Sequence, residues 1–135
     1  MSKRSNSRKL AMRMLYQYNI RKTDLASIFD DLKTDQYAEE TINWAFELAS
    51  TTVKNLDSID KIIKEYSIDW DPDRLNQIDF ALLRIGISEI LYTKTPFQIV
   101  INEVIEIAKI YSTDESSKFV NGILDKYVKK TCSPG

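Results

Sequence analysis

The residues with the clearest chemical purpose lie near the two ends of the chain. Lys3, Arg4, Arg8, Lys9, Arg13, Arg21 and Lys22 all precede the first acid, Asp24. Lys and Arg side chains neutralise phosphates and release their counterions. In a chain of formal net charge −1, that asymmetry points to a basic end that meets a polyanion. Towards the other end runs Lys118-Phe119-Val120-Asn121-Gly122. An aromatic ring can stack on an unpaired base, and an asparagine amide offers a donor and an acceptor to a base edge. Helical periodicity also makes Phe119 a core residue, so Lys118 is the safer contact.

Other polar groups point away from catalysis. Asn102-Glu103 and Glu106 put carboxylates at i and i+3 on one helix, a spacing that could serve a metal or an acid–base pair. Di-iron carboxylate sites use a Glu-x-x-His repeat, and this chain has no histidine. The absence of histidine also removes the commonest general base and metal ligand. These carboxylates therefore read as solvated or capping groups. The expectation is a binding protein that is not an enzyme and needs no cofactor. Asp79 and Arg84 interrupt an apolar run, and Asp79 is expected to pair with a basic neighbour.

The elements that must position these groups are helices. Ser7–Ile20 carries Leu10, Met14 and Tyr18 with Ala11 and Leu15, a first helix with a basic outer face. Asp24 caps a short second helix bearing Leu25, Ile28, Phe29 and Leu32. Asp35 opens a third, with Ile42, Ala45, Phe46, Ala49 and Val53 on one stripe and an end near Asn55. A fourth, near Leu56–Tyr66, buries Ile59, Ile62, Ile63 and Tyr66. After a linker at Ile68–Asp71, Asp71-Pro72 starts a fifth with Leu75, Ile78, Leu82, Ile85 and Ile90, running toward Tyr92. Gly86 within it predicts close helix packing.

Thr95 caps a sixth helix with Pro96 at its first position. Val100, Val104, Ile107 and Tyr111, with Ile101, Ile105 and Ala108, form a wide apolar face opposite Gln98, Asn102, Glu106 and Lys109. Ser112 and Glu115 have capping-box spacing and open a seventh helix. Phe119, Val120, Ile123, Leu124, Tyr127 and Val128 are its buried stripe. Gly122 in mid-helix costs about 1 kcal/mol against alanine, so either another helix or a ligand is expected close to the backbone there. No segment alternates long enough to argue a strand. The reading is all-α: residues 1–6 a flexible basic arm, 7–130 a bundle of about seven helices, 131–135 a disordered tail.

At 135 residues the chain suits one domain with a real core. No run of about 18 apolar residues exists to span a membrane, and no apolar stretch follows the basic start as in a secretory signal. Cys132 is the single cysteine, so no intrachain disulfide can form. That fits a reducing cytoplasm.

Pro96–Asp125, PFQIVINEVIEIAKIYSTDESSKFVNGILD, resembles the C-terminal signature of the NusB family. The likeness continues in Asp79–Glu89, DFALLRIGISE, and in Ala11–Tyr16, AMRMLY, and covers Arg8 to Lys129. It implies two small helical lobes sharing one core. It implies an RNA-binding transcription antitermination adaptor that takes the boxA element of ribosomal RNA leaders together with NusE, a small-subunit ribosomal protein. The pair would help a transcribing RNA polymerase resist termination. With the charge of the basic run read beside it, the residues expected to contact RNA are Lys3, Arg4, Arg8, Lys9, Lys118, Phe119 and Asn121, of which Arg4 and Arg8 fit the family's basic arm. Those it assigns to NusE are Tyr16, Asp79 and Glu115. Ser5 and Asn6 stand where the family commonly has Arg or Lys, while Lys9 and Arg13 stand where it often has Glu and Gln.

Two rivals exist. The helical domain at the front of some ribosomal RNA methyltransferases is similar, but this chain is too short for a cofactor-binding domain and lacks a Gly-rich loop. A helical interaction module or homodimer without an RNA role is the other.

Overall fold

Every residue from Asp79 to Glu89 is buried, and all lie in the helix Gln77–Tyr92, the fifth of seven among the described residues. Phe80, Ala81, Leu82, Leu83, Ile85 and Ile87 spread apolar surface around its whole circumference, and a helix apolar on all sides belongs inside. In this computed structural model the described residues are 3–32, 36–67 and 76–131, the side chain of Lys3 excepted. In chain order the helices are α1 Lys3–Arg21, α2 Leu25–Leu32, α3 Glu39–Lys54, α4 Leu56–Tyr66, α5 Gln77–Tyr92, α6 Phe97–Tyr111 and α7 Asp114–Thr131. There is no strand among the described residues.

Five helices, α1, α3, α4, α6 and α7, pack against α5. α1, α2 and α3 also pack on one another, while α7 packs on α4 and α6. The two lobes thus share α5 and one continuous core that includes Leu10, Met14, Ile28, Ile59, Ile63, Val104 and Leu124. At Gly86, α5 lies tightly against α7. A Cβ built there would stand 3.2 and 3.3 Å from the Leu124 methyls and 3.6 Å from Val104 Cγ2, the tight packing its position in the sequence suggests.

Several helix starts differ from the sequence reading. α1 begins at Lys3 rather than Ser7, because Ser5 and Ser7 are buried and Ser7 Oγ donates to the Thr41 carbonyl at 2.8 Å. The seam with α3 thus carries the helix back into the expected arm. α3 opens at Glu39. α5 is capped by Asn76, whose side chain accepts from the Ile78 and Asp79 N–H groups. α6 starts at Phe97, with Pro96 one position before it and extended at ψ 138°. For α7, Thr113 replaces Ser112 as the cap: Thr113 Oγ1 accepts from the Ser116 N–H at 3.0 Å. Asp24 does cap α2, accepting from the Ser27 N–H at 2.8 Å, and Ser27 hydrogen bonds hold its carboxyl below the usual range. α7 continues to Thr131, the first residue of the expected tail. Asp35, Ile68–Asp71, Pro72, Leu75 and Cys132 lie outside the described residues.

At Gly122 no other helix comes close among the described residues, against one of the two expectations. The glycine is exposed, and a Cβ there would meet nothing within 4 Å. Tyr111, assigned to the apolar stripe of α6, is 44% exposed because the helix ends there and its ring turns to an open cleft.

Candidate nucleic-acid and partner interface

The basic start of the chain is spent partly on the fold itself. Arg8, a proposed phosphate contact, has a side chain only 3% exposed. Its Nε donates to Glu89 Oε1 at 2.8 Å, its Nη2 to Glu89 Oε2 at 2.6 Å and its Nη1 to Glu103 Oε1 at 2.9 Å. Burial disfavours the charge of Arg8, but the hydrogen bonds and charge of Glu89, with Glu103 behind, outweigh it and hold the guanidinium pKa above its ordinary value. Arg8 therefore ties α1 to α5 and α6 and does not face solvent. Removing either partner of such a buried pair strands the other charge.

Arg4, one turn earlier, is exposed, with its guanidinium carbon 4.2 Å from the centroid of the Trp44 ring on α3. Lys9 is half-buried. On α7, Lys118, Asn121 and Gly122 are exposed, while Phe119 is half-buried and packs on the core. The two sets are not adjacent. α1 packs on α2, α3, α5 and α6, and α7 on α4, α5 and α6, so α1 and α7 do not pack on each other among the described residues. The sequence suggested neither Trp44 nor the pairing of Glu89 and Glu103 with Arg8. The one available signal was Glu89 standing in an otherwise apolar run.

Of the three residues assigned to a protein partner, one lines a cleft. Tyr16 lines a cleft of about 230 Å³ with Met12, Arg13, Gln17, Leu32, Ile78 and Tyr111. Ile78 adjoins Asp79, and Tyr111 adjoins the junction between α6 and α7, where Glu115 is exposed. Asp79 itself is not at the surface. It is 4% exposed, and its Oδ1 lacks a hydrogen-bond partner, as does the buried Ser112 Oγ. Burial pushes its carboxyl above the usual range, and the nearby Ser116 and Ser112 hydroxyls pull it back. The expected basic neighbour is taken elsewhere. Arg84 lies over the Phe80 ring at 3.9 Å and donates to both Asp60 oxygens, at 2.9 and 2.8 Å.

Among the described residues no group of three or more His, Cys, Asp or Glu could hold a metal ion, and no helix is long and apolar enough to cross a membrane. The arrangement is one of surfaces: an apolar cleft with aromatic walls, and separate exposed cations on α1 and α7.

The NusB family model matches residues 5–129. This chain belongs to the NusB family. It is 38% identical over 129 residues to the transcription antitermination protein NusB of Alkaliphilus oremlandii, covering 94% of each chain. Its fold is similar to a crystal form of T. maritima NusB, with TM-score 0.87 and 35% identity over 94% of this chain and 91% of that one. It is also similar to a NusB chain solved with NusE and double-stranded RNA, with TM-score 0.85 and 27% identity over 96% of this chain and 98% of that one. Within this NusB fold, the Tyr16 cleft is open and Arg4 and Lys118 are exposed.

Proposed function

We propose that this chain is an RNA-binding antitermination adaptor, which takes boxA-type single-stranded RNA of ribosomal RNA leaders together with NusE and so helps RNA polymerase resist termination. The single observation that carries this reading is membership of the NusB family along nearly the whole chain. It is supported by the relative solved with NusE and double-stranded RNA. The mechanism is binding. Arg4, Lys9 and Lys118 supply phosphate contacts, with Asn121 and the edge of Phe119 beside Lys118. Arg8 leaves this set because it is buried and paired. Lys3 stays in it on sequence grounds alone. NusE is assigned to the cleft of Tyr16 and Tyr111, with the exposed Glu115 kept in the set and the buried Asp79 as a support.

The test is a salt series of anisotropy titrations with boxA-like and scrambled RNA, with and without NusE. Each phosphate contact to a single strand contributes about 0.7 to the slope of log K against log salt, so Lys118→Ala should flatten it by about that much. NusE should tighten RNA binding, and RNA should tighten NusE binding by the same factor. Equal binding of boxA-like and scrambled RNA with NusE present would sink the boxA assignment.

A second reading has its own observation. Ile110 and Tyr111 are 58% and 44% exposed beside the cleft, apolar surface that a second copy of the chain could cover. Light scattering of the chain alone would show a concentration-dependent dimer, and NusE would dissociate it.

A further inference from the structure

Arg4 is the described basic residue at the start of α1 that is most exposed to RNA, yet it already has a seat. Its guanidinium lies on the half-buried Trp44 ring, 4.2 Å from the centroid. Arg4 and Trp44 line an open groove of about 410 Å³ whose other walls are Glu39, Glu40, Asn43 and Glu47. Cation, ring and carboxylates together make a cation–π contact in a field of opposite charge. A phosphate cannot join Arg4 there without lying beside those carboxylates, where like charges repel. RNA must therefore draw the guanidinium out.

The architecture permits that movement. Ser7 is fixed to the Thr41 carbonyl at 2.8 Å and Arg8 to Glu89 at 2.6 Å. Ser5, also buried, and both of these anchors lie beyond Arg4 in the chain, so the Arg4 side chain can swing off the ring while α1 stays seated. Arg8 also stands over Trp44, its guanidinium carbon 5.5 Å from the centroid, but the two glutamates hold it. Arg4 is the movable occupant of the ring.

We propose that the Arg4–Trp44 contact is autoinhibitory: the acidic, aromatic face of α3 holds Arg4 in the free chain and competes with RNA phosphate for it. This rests on the reading that Arg4 meets RNA. An exposed cation–π contact corresponds to about a two- to fivefold change in affinity.

The experiment is a double-mutant cycle read by anisotropy with boxA-like RNA at fixed salt. Trp44→Leu should bind RNA about two- to fivefold tighter than wild type, and that gain should vanish in an Arg4→Ala background. Circular dichroism checks that Trp44→Leu folds. If it does not, Glu47→Gln carries the test: it leaves the ring in place, and its gain should shrink when Arg4 is absent. A folded Trp44→Leu variant with unchanged or weaker binding overturns the proposal, as does a gain equally large without Arg4. Arg4→Ala with wild-type affinity also overturns it, because there is then nothing to compete for. RNA binding that ignores Trp44 sinks this proposal alone, whereas loss of all RNA binding in wild type and variants sinks the RNA reading with it.

Discussion

Arg8 and Glu89 meet at 2.6 Å with side chains 3% and 0% exposed, joining the first helix to the last turn of the buried one. Breaking such a pair by removing one partner costs about 3–5 kcal/mol, whereas replacing both with apolar residues of similar volume is often close to neutral. Arg8→Ala should therefore lose about 3–5 kcal/mol in urea denaturation, and Arg8→Met with Glu89→Leu clearly less. Lys118→Ala, on the exposed face of α7, should stay within about 0.5 kcal/mol of wild type. A small loss for Arg8→Ala would put Arg8 back among the candidates for RNA.

Asp79 should make stability fall as pH rises. Its carboxyl is raised above the usual carboxylate range, chiefly by burial. A raised folded-state value means the favourable protonated form is fully present below the unfolded value and is lost as pH climbs through the folded one. Asp24 acts oppositely: its lowered value gives a contribution present above the unfolded value and lost as pH falls. Comparison of Asp79→Asn with wild type cancels the Asp24 effect. The variant should gain on wild type as pH climbs from the ordinary carboxylate range through the raised folded value in parallel thermal melts, helped by an amide that can donate to the unpaired Ser112 Oγ. A difference that is flat with pH would mean the carboxylate is satisfied when charged.

The two helical glycines called for similar treatment from sequence and behave oppositely in the fold. Gly122→Ala should stabilise by up to about 1 kcal/mol, since the new methyl meets nothing and helix propensity improves. Gly86→Leu should cost at least about 1–3 kcal/mol through overpacking against Leu124 and Val104. Thermal midpoints decide both, and a destabilised Gly122→Ala would show that a neighbour does approach.

Thr113→Ala should lose about 1 kcal/mol by removing the oxygen that accepts from the Ser116 N–H. Ser112→Ala should lose less, because its hydroxyl is buried without a hydrogen bond. The reverse order in chemical denaturation would restore Ser112 as the cap.

Contiguous sequence determined how many helices form and which faces they bury. The fourth helix, Leu56–Tyr66, coincides with its expected range, and Ile59 and Ile63 are buried as their spacing implies. Val100, Val104, Ile107 and Ala108 on α6 and Val120, Ile123, Leu124, Tyr127 and Val128 on α7 likewise face the core. A period of 3.6 residues is a property of neighbours in the chain, so it can be read without the fold. Helix starts were less legible at α3, α5 and α7, because Asp, Asn, Ser and Thr all make competent caps and several stand close together there.

Only the tertiary structure decided which basic residues are available. Arg4 and Arg8 lie one turn apart in the same basic run, and nothing local separates them. Glu89, 81 positions away, takes Arg8 into the core, while Trp44 seats Arg4 at the surface. Asp79 was legible as a polar residue at the right end of α5, but its burial depends on the junction of α6 and α7 folding over it. Charge is written in the sequence residue by residue; its exposure is set by helices that meet from distant parts of the chain, and exposure determines whether a side chain holds the fold or binds a partner.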